Sequence, residues 1–520
     1  MPETELKLAA APADLPKIRD ALLAMPRSRR TASGALISAY YDTPSFALGR
    51  RRLVLRVRRQ AGRFIQTVKA ETRESGDLLT REEWEDRIAS AMPDLTAPHT
   101  RRSLEAAGID GDLQIMFTTT VRRTTILIEP LPGLRFEAAL DMGEIRTEAG
   151  GRTAPISEVE LELKRGEPTA LYDLALRLVR VAPLRLSLAG KAERGYALLA
   201  SSAPPMPGPP ALILDGGMTV EAAFRAVGRR CLAQLLRHEP AALAGQPEGI
   251  HQMRVALRRL RAALAVLRPM LPAEQRRWAS TEIKWLAGAL GPAREWDVFA
   301  ADLAAPGGDA ASGSLSGAVE ARLRAAHAAA EGAIRSPRYT VGLLRLARWI
   351  EGRGWRDPTL AEPAAGLLSP LAEVAPELIA RSFRAAVKRS RHFAGLAARD
   401  RHRLRIALKT LRYTVEIMAP IFPRAEVRRF LKRLRCLQEE LGRMNDRRVA
   451  DRLLAELRET DHTVAAADDC CLVGSAADEA TVEPRLRRQV KRLRRTQPFW
   501  RGPLARPARH GRRPAAEPRS

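Results

Sequence analysis

Cysteine is nearly missing from this chain: Cys231, Cys436, Cys470 and Cys471 are the four in 520 residues. So few cannot staple a disulfide framework. Their spacing does not suit zinc, and no histidine lies near enough in sequence to complete a site. Aromatic residues make up only 5%, which leaves little for the base-stacking platform of a single-strand nucleic-acid binder. No uninterrupted apolar run approaches the ~20 residues of a membrane span. The opening Met1-Pro2-Glu3-Thr4-Glu5 is acidic and lacks the basic and apolar regions of a secretory signal. A cytoplasmic protein is the expectation. With 45% apolar and 28% charged residues the composition is globular, and 520 residues exceed one ordinary core, so two or three domains are expected.

Positive charge, by contrast, is abundant and unevenly placed. The formal net charge is +27, yet residues 1–200 hold 31 Lys and Arg against 27 Asp and Glu. A net of +23 therefore belongs to the remainder. An Arg-rich genome would raise arginine throughout and does not explain a neutral first part. A field of this sign favours polyanions such as polyphosphate, nucleic acid or an anionic surface.

The Pro-rich stretch Ser201–Pro210 can continue neither a helix nor a central strand. Before it, apolar and polar residues alternate, as in Leu53, Leu55 and Val57 or Val159, Leu161 and Leu163. A period of two indicates strands with two different faces. After it the period becomes 3.6, and helices are expected near 219–236, 248–268, 273–290, 316–334, 340–351, 371–393, 400–418, 425–441 and 446–460. The fold class expected is α+β multidomain, with an antiparallel β domain at 1–200, a linker at 201–217 and an all-α domain at 218–500. A disordered basic tail is expected at 501–520. The helical part is duplicated, with repeats at about 218–350 and 371–500. His251-Gln-Met-Arg254-Val-Ala-Leu-Arg258-Arg-Leu-Arg261 matches His402-Arg-Leu-Arg405-Ile-Ala-Leu-Lys409-Thr-Leu-Arg412, and a Leu-Gly pair follows each at the same distance, Leu290-Gly291 and Leu441-Gly442.

The strand faces carry unusual charge. Glu3, Glu5 and Lys7 share one face of a strand whose other face is Thr4, Leu6 and Leu8. Arg56 and Arg58, Lys69, Glu83 and Glu85, Glu137, and Glu158, Glu160 and Glu162 repeat the theme. Carboxylates bind hard divalent cations, and Lys and Arg orient phosphate oxygens. A closed barrel lined by both suits cleavage of a linear triphosphate.

The ordered set Glu3-x-Glu5-x-Lys7, Tyr40-Tyr-Asp-Thr43, Leu55-Arg-Val-Arg58, Glu158-Val-Glu160-Leu-Glu162 and Lys191-Ala-Glu-Arg194-Gly-Tyr196 resembles the CYTH triphosphate-tunnel metalloenzymes. The resemblance implies an eight-stranded tunnel with Mg²⁺ or Mn²⁺ held by Glu3, Glu5, Glu160 and Glu162. It implies a triphosphate clamp of Lys7, Arg56, Arg58, Lys69, Arg122, Lys191 and Arg194. Glu83, Glu137, Asp141 and Glu158 lie on matching strands. Inorganic triphosphate, thiamine triphosphate and nucleotides are all substrates within that family. A thiamine or nucleotide pocket needs an aromatic wall, for which Trp84, Tyr40 and Tyr41 are the candidates.

On helices, His251, Arg254, Arg258 and Arg261 fall within one sector, opposite Leu257, Leu260 and Leu264. His402, Arg405, Lys409 and Arg412 superpose on them, opposite Leu404, Leu408, Leu411 and Val415. These stripes, with Gly291-Pro-Ala-Arg-Glu-Trp-Asp297 and Leu441-Gly-Arg-Met-Asn-Asp446, resemble CHAD domains, which are associated with polyphosphate. Glu295 stands where that family usually has Asp. The expected partners are inorganic triphosphate and long-chain polyphosphate, with location in the cytoplasm or at polyphosphate granules. Nucleic acid is less favoured, through backbone contacts alone. A non-catalytic polyphosphate-binding protein is the alternative, against which the full set of tunnel carboxylates argues.

Overall fold

Along the strands of the N-terminal region, side chains with charge and side chains without it point to opposite faces, and the sheet has closed around the charged one. The computed structural model describes residues 2–70, 80–109, 112–148, 151–199, 212, 214–304, 313–356, 366–391, 393, 398–460 and 476–502. The linker at 201–211, most of the C-terminal tail and the side chain of Glu3 lie outside these. The strands are β1 (Pro2–Ala10), β2 (Ser28–Asp42), β3 (Leu53–Gln60), β4 (Arg63–Ala70), β5 (Thr80–Ile88), β6 (Gln114–Leu131), β7 (Leu134–Thr147), β8 (Thr153–Arg165) and β9 (Leu184–Ser187). Their order is β5-β4-β3-β2-β6-β7-β8-β1-β9, and β5 pairs again with β1. Every pairing is antiparallel.

Eight strands therefore close a ring, as expected. The short ninth, unexpected from the sequence, fills the free edge that β1 offers beyond its three-residue pairing with β5. Closure removes the exposed edges of an open sheet.

The outer face is the apolar one. Leu6, Leu8, Val159 and Leu161 are buried to 1% or less. Helix α1 (Leu15–Leu23) contributes Leu15, Ile18 and Leu22 to the covered surface. Helix α3 (Pro98–Ala107) sets Leu104 against Leu55, Val57 and Val68. Between these helices lies a single turn, α2 (Ala47–Arg50). Helix α4 (Thr169–Leu178) buries Leu171, Tyr172, Leu174, Ala175 and Leu178.

At one end of the ring the inward positions also turn apolar: Leu36, Tyr40, Phe117, Val121, Ile145 and Ile156 form a cluster there with Tyr196 and Leu199. Tyr196 belongs to α5 (Lys191–Leu198), which is docked by two close fits. Its hydroxyl donates to Asp42 at 2.8 Å, a wholly buried carboxylate that also accepts from the backbone N–H groups of Thr43, Leu48 and Gly49. Gly195 lies so close to the Phe117 ring that a β-carbon would fall 2.3 Å from it.

After the linker come α6 (Val220–Leu243), α7 (Pro247–Val266), α8 (Ala273–Ala289), α9 (Gly291–Leu303), α10 (Gly313–Arg335) and α11 (Pro337–Glu351). They are followed by α12 (Leu371–Arg389), α13 (Ala398–Met418), α14 (Arg424–Thr460) and α15 (Ala476–Arg494). Helices α9 and α15 lie where none is expected, α6 runs past the expected 236 to Leu243, and the helices expected at 425–441 and 446–460 are one element, so the two halves treat the repeated Leu-Gly differently. After Leu290-Gly291 comes Pro292, which lacks an N–H and clashes with the preceding turn, so α8 stops and α9 begins. After Leu441-Gly442 comes Arg443, and the helix runs through as one 37-residue element. Glycine alone costs an interior helix only about 1 kcal/mol, which packing overrides. No helix among the described residues is long and apolar enough to cross a membrane.

The chain divides into two compact units. One comprises residues up to Leu212 together with Gly228–Ala256 and Glu331–Gly354. In it α11 packs on α4 and β9, and Arg348 Nε meets Asp173 Oδ1 at 2.6 Å. The other comprises Ile213–Val227, Leu257–Ala330 and the rest. Its core includes Phe383, Phe422, Phe430, Phe499 and Trp500, with neighbouring ring centroids 5.1–6.3 Å apart.

Gly195→Ala should force Phe117 or α5 to move and cost about 1–3 kcal/mol, the usual range for overpacking. Thermal denaturation of the variant checks this, and the expected outcome is a lower melting temperature.

Candidate functional site

Cross-strand register stacks the inward charges in layers. In the first, Glu5 on β1, Glu162 on β8 and Glu137 on β7 stand directly opposite one another. In the second, Lys7 faces Glu160. In the third, Glu158 faces Asp141, which in turn faces Arg123. On the other wall Arg56 faces Thr67, and Lys69 faces Glu83. These side chains surround a cavity of about 280 Å³ lined by, among others, Glu5, Lys7, Arg56, Arg58, Lys69, Glu83, Arg123, Glu137, Glu160, Glu162 and Lys191.

The second and third layers neutralise themselves. Lys7 Nζ lies 2.6 Å from Glu160 Oε1 and 3.0 Å from Glu5 Oε1. Arg123 makes a bidentate pair with Asp141 at 2.7 and 2.6 Å and reaches Glu160 Oε2 at 2.5 Å. Lys191, projecting from the first turn of α5, bridges Asp141 at 2.7 Å, Glu160 at 3.1 Å and Glu158. Arg194, one turn on, meets Glu158 Oε2 at 3.3 Å. Burial opposes ionisation of Glu160, but Lys191, Lys7 and Arg123 outweigh it and hold its carboxyl well below the ordinary range. Burial likewise works against the Lys191 ammonium, and Glu160, Asp141 and Glu158 overcome it, so its pKa is raised.

The first layer is different. Burial pushes the Glu162 carboxyl up, Lys164 at 2.5 Å only partly opposes this, and Glu137 and Glu5 add to it. Like charges directly opposite on a sheet repel. Asp141, Glu158 and Glu160 also come within 4.8 Å of one another, but Lys191 and Arg123 already fill the space among them. The Glu5, Glu137 and Glu162 layer has less protein charge to balance it, and carboxylate oxygens are the donors that hard divalent cations take.

The opposite wall has an excess of the other sign. Arg56 Nη2 donates to Thr67 Oγ1 at 2.9 Å and Glu83 Oε1 at 3.3 Å, and Lys69 pairs with Glu83. Arg58 has no ion pair among the described residues. Its neighbour Arg56 first, then burial, then Arg123 push its guanidinium down to about 10. Burial, followed by Arg56, lowers the Lys69 ammonium as well. Crowded cations of this kind are relieved by an anion.

Of the residues expected from sequence, the cavity brings together Glu5, Lys7, Arg56, Arg58, Lys69, Glu160, Glu162 and Lys191, with Arg194 beneath it. Arg122 does not join them. It is exposed on the outside of β6, and its neighbour Arg123 points inward. Two adjacent arginines cannot share a face. Counting back by twos from the outward, fully buried Ile126 and Ile128 places Arg122 outside. Trp84 and Tyr41 also face outward, Trp84 beside His99 and Tyr41 against Leu104. Among the three aromatic candidates only Tyr40 lines the cavity, its ring stacked on Phe117 with centroids 4.6 Å apart.

In the helical region Leu257, Leu260, Leu264, Leu404, Leu408, Leu411 and Val415 are all buried, as the stripe geometry requires. Tyr413 ties the repeats together: its hydroxyl accepts from Arg258 Nε and from Arg412 Nη2, each at 3.0 Å. Arg405 and Lys409 lie in the same group, and the Arg405 Nε is buried with no hydrogen-bond partner among the described residues. Arg261 and His402 are exposed. His251 and Arg254, on the same helix as Arg258, are half-buried and fall to the other compact unit.

A closed antiparallel tunnel lined by opposed charges, followed by a basic helical duplication, defines the class of molecule. Residues 1–196 match the family model of the CYTH domain and residues 226–455 that of the CHAD domain. The chain is thus a CYTH–CHAD two-domain protein. Over 206 residues it is 31% identical to an inorganic triphosphatase of Haemophilus influenzae, a match covering 38% of this chain and 54% of that one. The chain therefore spans about half the length of that curated relative. Among solved structures it is similar to the CHAD domain of Ricinus communis, with 32% identity over 55% of this chain and 96% of that one and a TM-score of 0.48. It is also similar to a putative adenylyl cyclase from Hippeastrum with a dominant triphosphatase activity, with 21% identity over 39% and 97% and a TM-score of 0.29.

Removing Arg123 leaves Asp141 and Glu160 short of a partner inside the barrel, so Arg123→Ala should destabilise by about 3–5 kcal/mol. Arg122→Ala should stay within about 0.5 kcal/mol of the parent. Urea denaturation of the two variants side by side tests the assignment.

Proposed function

We propose that the tunnel hydrolyses inorganic triphosphate to pyrophosphate and phosphate with Mg²⁺ or Mn²⁺, and that the helical domain binds long-chain polyphosphate. The observation that carries the first reading is the separation of unbalanced charge within one cavity. Glu5, Glu137 and Glu162 form an under-neutralised carboxylate layer, while Arg56, Arg58 and Lys69 crowd the opposite wall. A metal–triphosphate complex would relieve both, the ion at the carboxylates and the phosphate oxygens at the cations. The inorganic triphosphatase among the relatives agrees with this, as does the aromatic lining, which among the described residues is Tyr40 alone.

When bound, the divalent ion supplies neutralisation of phosphate charge and polarisation of the bond to be cleaved. The remaining work falls to the chain. Arg56, Arg58 and Lys69 hold the phosphate groups in line, and the closed ring limits bulk water. Water attacks phosphorus and pyrophosphate departs, so no protein nucleophile is required. Lys7 and Lys191, locked to Glu160, fix the carboxylate face against which the substrate lies.

For the helical domain the supporting observation is the cluster of Arg258, Arg405, Lys409 and Arg412, in which Lys409 makes no ion pair among the described residues. Burial first, then Arg405, Arg258 and Arg412, push its amine down to about 7, with Asp446 opposing. His402 is lowered too, by burial and then by Arg405 and Lys409. A polyanion would restore the proton that this crowding expels.

Phosphate release from tripolyphosphate, ATP, thiamine triphosphate and long-chain polyphosphate, with Mg²⁺ or Mn²⁺, is the direct test of the first reading. Tripolyphosphate should be the preferred substrate. Glu162→Gln should lower turnover by at least about 100-fold without loss of melting temperature, since it removes a repelled charge. Near-parental turnover at saturating Mg²⁺ would overturn the metal assignment.

Polyphosphate binding should depend on pH. Below about pH 7 Lys409 is charged before binding. Above that it must take up a proton, so affinity falls as pH rises, by at most about tenfold per unit from this group. Lys409→Arg, which stays charged, should flatten the profile. Calorimetry at physiological salt, in buffers of different ionisation enthalpy, measures both affinity and proton uptake.

A further inference from the structure

One cation on the lining of the tunnel cavity comes from beyond the residues that match the tunnel family. Arg237, on α6, shares that lining with Arg52, Gly190, Lys191 and Glu193. Its Nη1 lies 3.6 Å from Glu193 Oε1, and the two side chains are 26% and 35% exposed. Its Nε is buried and has no hydrogen-bond partner among the described residues.

The position of α6 is firmly set. Two residues on, the buried Glu239 accepts a hydrogen bond from the Tyr339 hydroxyl at 2.8 Å and pairs with Arg185 of β9 at 3.5 Å. All of these residues belong to the same compact unit. Arg237 is thus anchored at the rim by its helix, while its ion pair with Glu193 is long and partly exposed. An ion pair that is long and partly exposed contributes little. A phosphate group carries more charge than a carboxylate and matches the guanidinium fork in two bonds.

We infer that Arg237 is a substrate-binding residue of the tunnel: it leaves Glu193 and holds a terminal phosphoryl group of the linear phosphate chain at the cavity rim. This deepens the triphosphatase reading and rests on it. In this arrangement Glu193 competes with substrate for the arginine, so the two residues have opposite effects on affinity.

That opposition separates a binding role from a merely structural one. If the pair only latched α6 to α5, breaking it from either side would have the same effect. If Arg237 binds substrate, Arg237→Ala should raise KM for tripolyphosphate about fivefold to tenfold with kcat within about twofold, consistent with loss of one charged contact. Arg237→Lys should fall between. Glu193→Gln should lower KM or leave it unchanged, because the arginine is released. Steady-state kinetics on the full chain with Mg²⁺, and melting temperatures of the three variants, provide the readouts. Changes in the same direction for Arg237→Ala and Glu193→Gln, or a fall in kcat at constant KM, would overturn the inference while leaving the triphosphatase reading intact. If the parent shows no turnover, the same comparison is made on tripolyphosphate binding by calorimetry. Absence of both turnover and binding would overturn inference and reading together.

Discussion

Charges that face one another inside a closed sheet have little access to water, so most are balanced by a counter-charge at a position the register dictates. That requirement organises the whole N-terminal region. The antiparallel register sets Lys7 opposite Glu160 and Arg123 opposite Asp141. Lys191 enters from α5 to balance what the strands leave over. The apolar residues, denied the interior over most of its length, coat the outside, and α1, α3 and α4 exist to cover them. A barrel of this kind is inverted relative to an ordinary one: its core is the shell between strands and helices. The interior can then be left unbalanced where chemistry needs it.

Such a balance makes the third layer a foundation and the first a working surface. Asp141, Glu158, Glu160, Arg123, Lys191 and Arg194 are mutually satisfied, and a group this well paired resists rearrangement. Glu5, Glu137 and Glu162 are held in place by the same strands but not by one another. Electrostatic strain is thereby confined to one end of a rigid scaffold, where a ligand can relieve it.

Much of this could be read from the chain because the relevant signal is short-range. Charges spaced by two along Glu5-Leu6-Lys7, Arg56-Val57-Arg58 and Glu158-Val-Glu160-Leu-Glu162 declare a charged strand face whatever the sheet does. The equal intervals in His251–Leu290 and His402–Leu441 likewise announce the helical duplication. What escaped depended on longer-range facts. Arg122 and Arg123 differ only in parity, and parity is decided by the burial of Ile126 and Ile128. Glu137 looked like one more strand carboxylate until register stood it beside Glu162. The repeats diverge at Gly291 and Gly442 because Pro292 follows one and Arg443 the other, so similar motifs begin a new helix in one half and lie inside a helix in the other.

The first compact unit is assembled from three stretches of chain, Met1–Leu212, Gly228–Ala256 and Glu331–Gly354. Covalent order and physical integrity therefore do not coincide. A single backbone cut in the Pro-rich segment before Leu212 would leave two polypeptides still held by the packing of α11 on α4 and by the Glu239–Arg185 pair. Nicked protein would migrate as two bands under denaturing conditions and as one species in native gel filtration. For the same reason, exchanging the helical region for that of a relative would also replace part of the wall on which the tunnel leans.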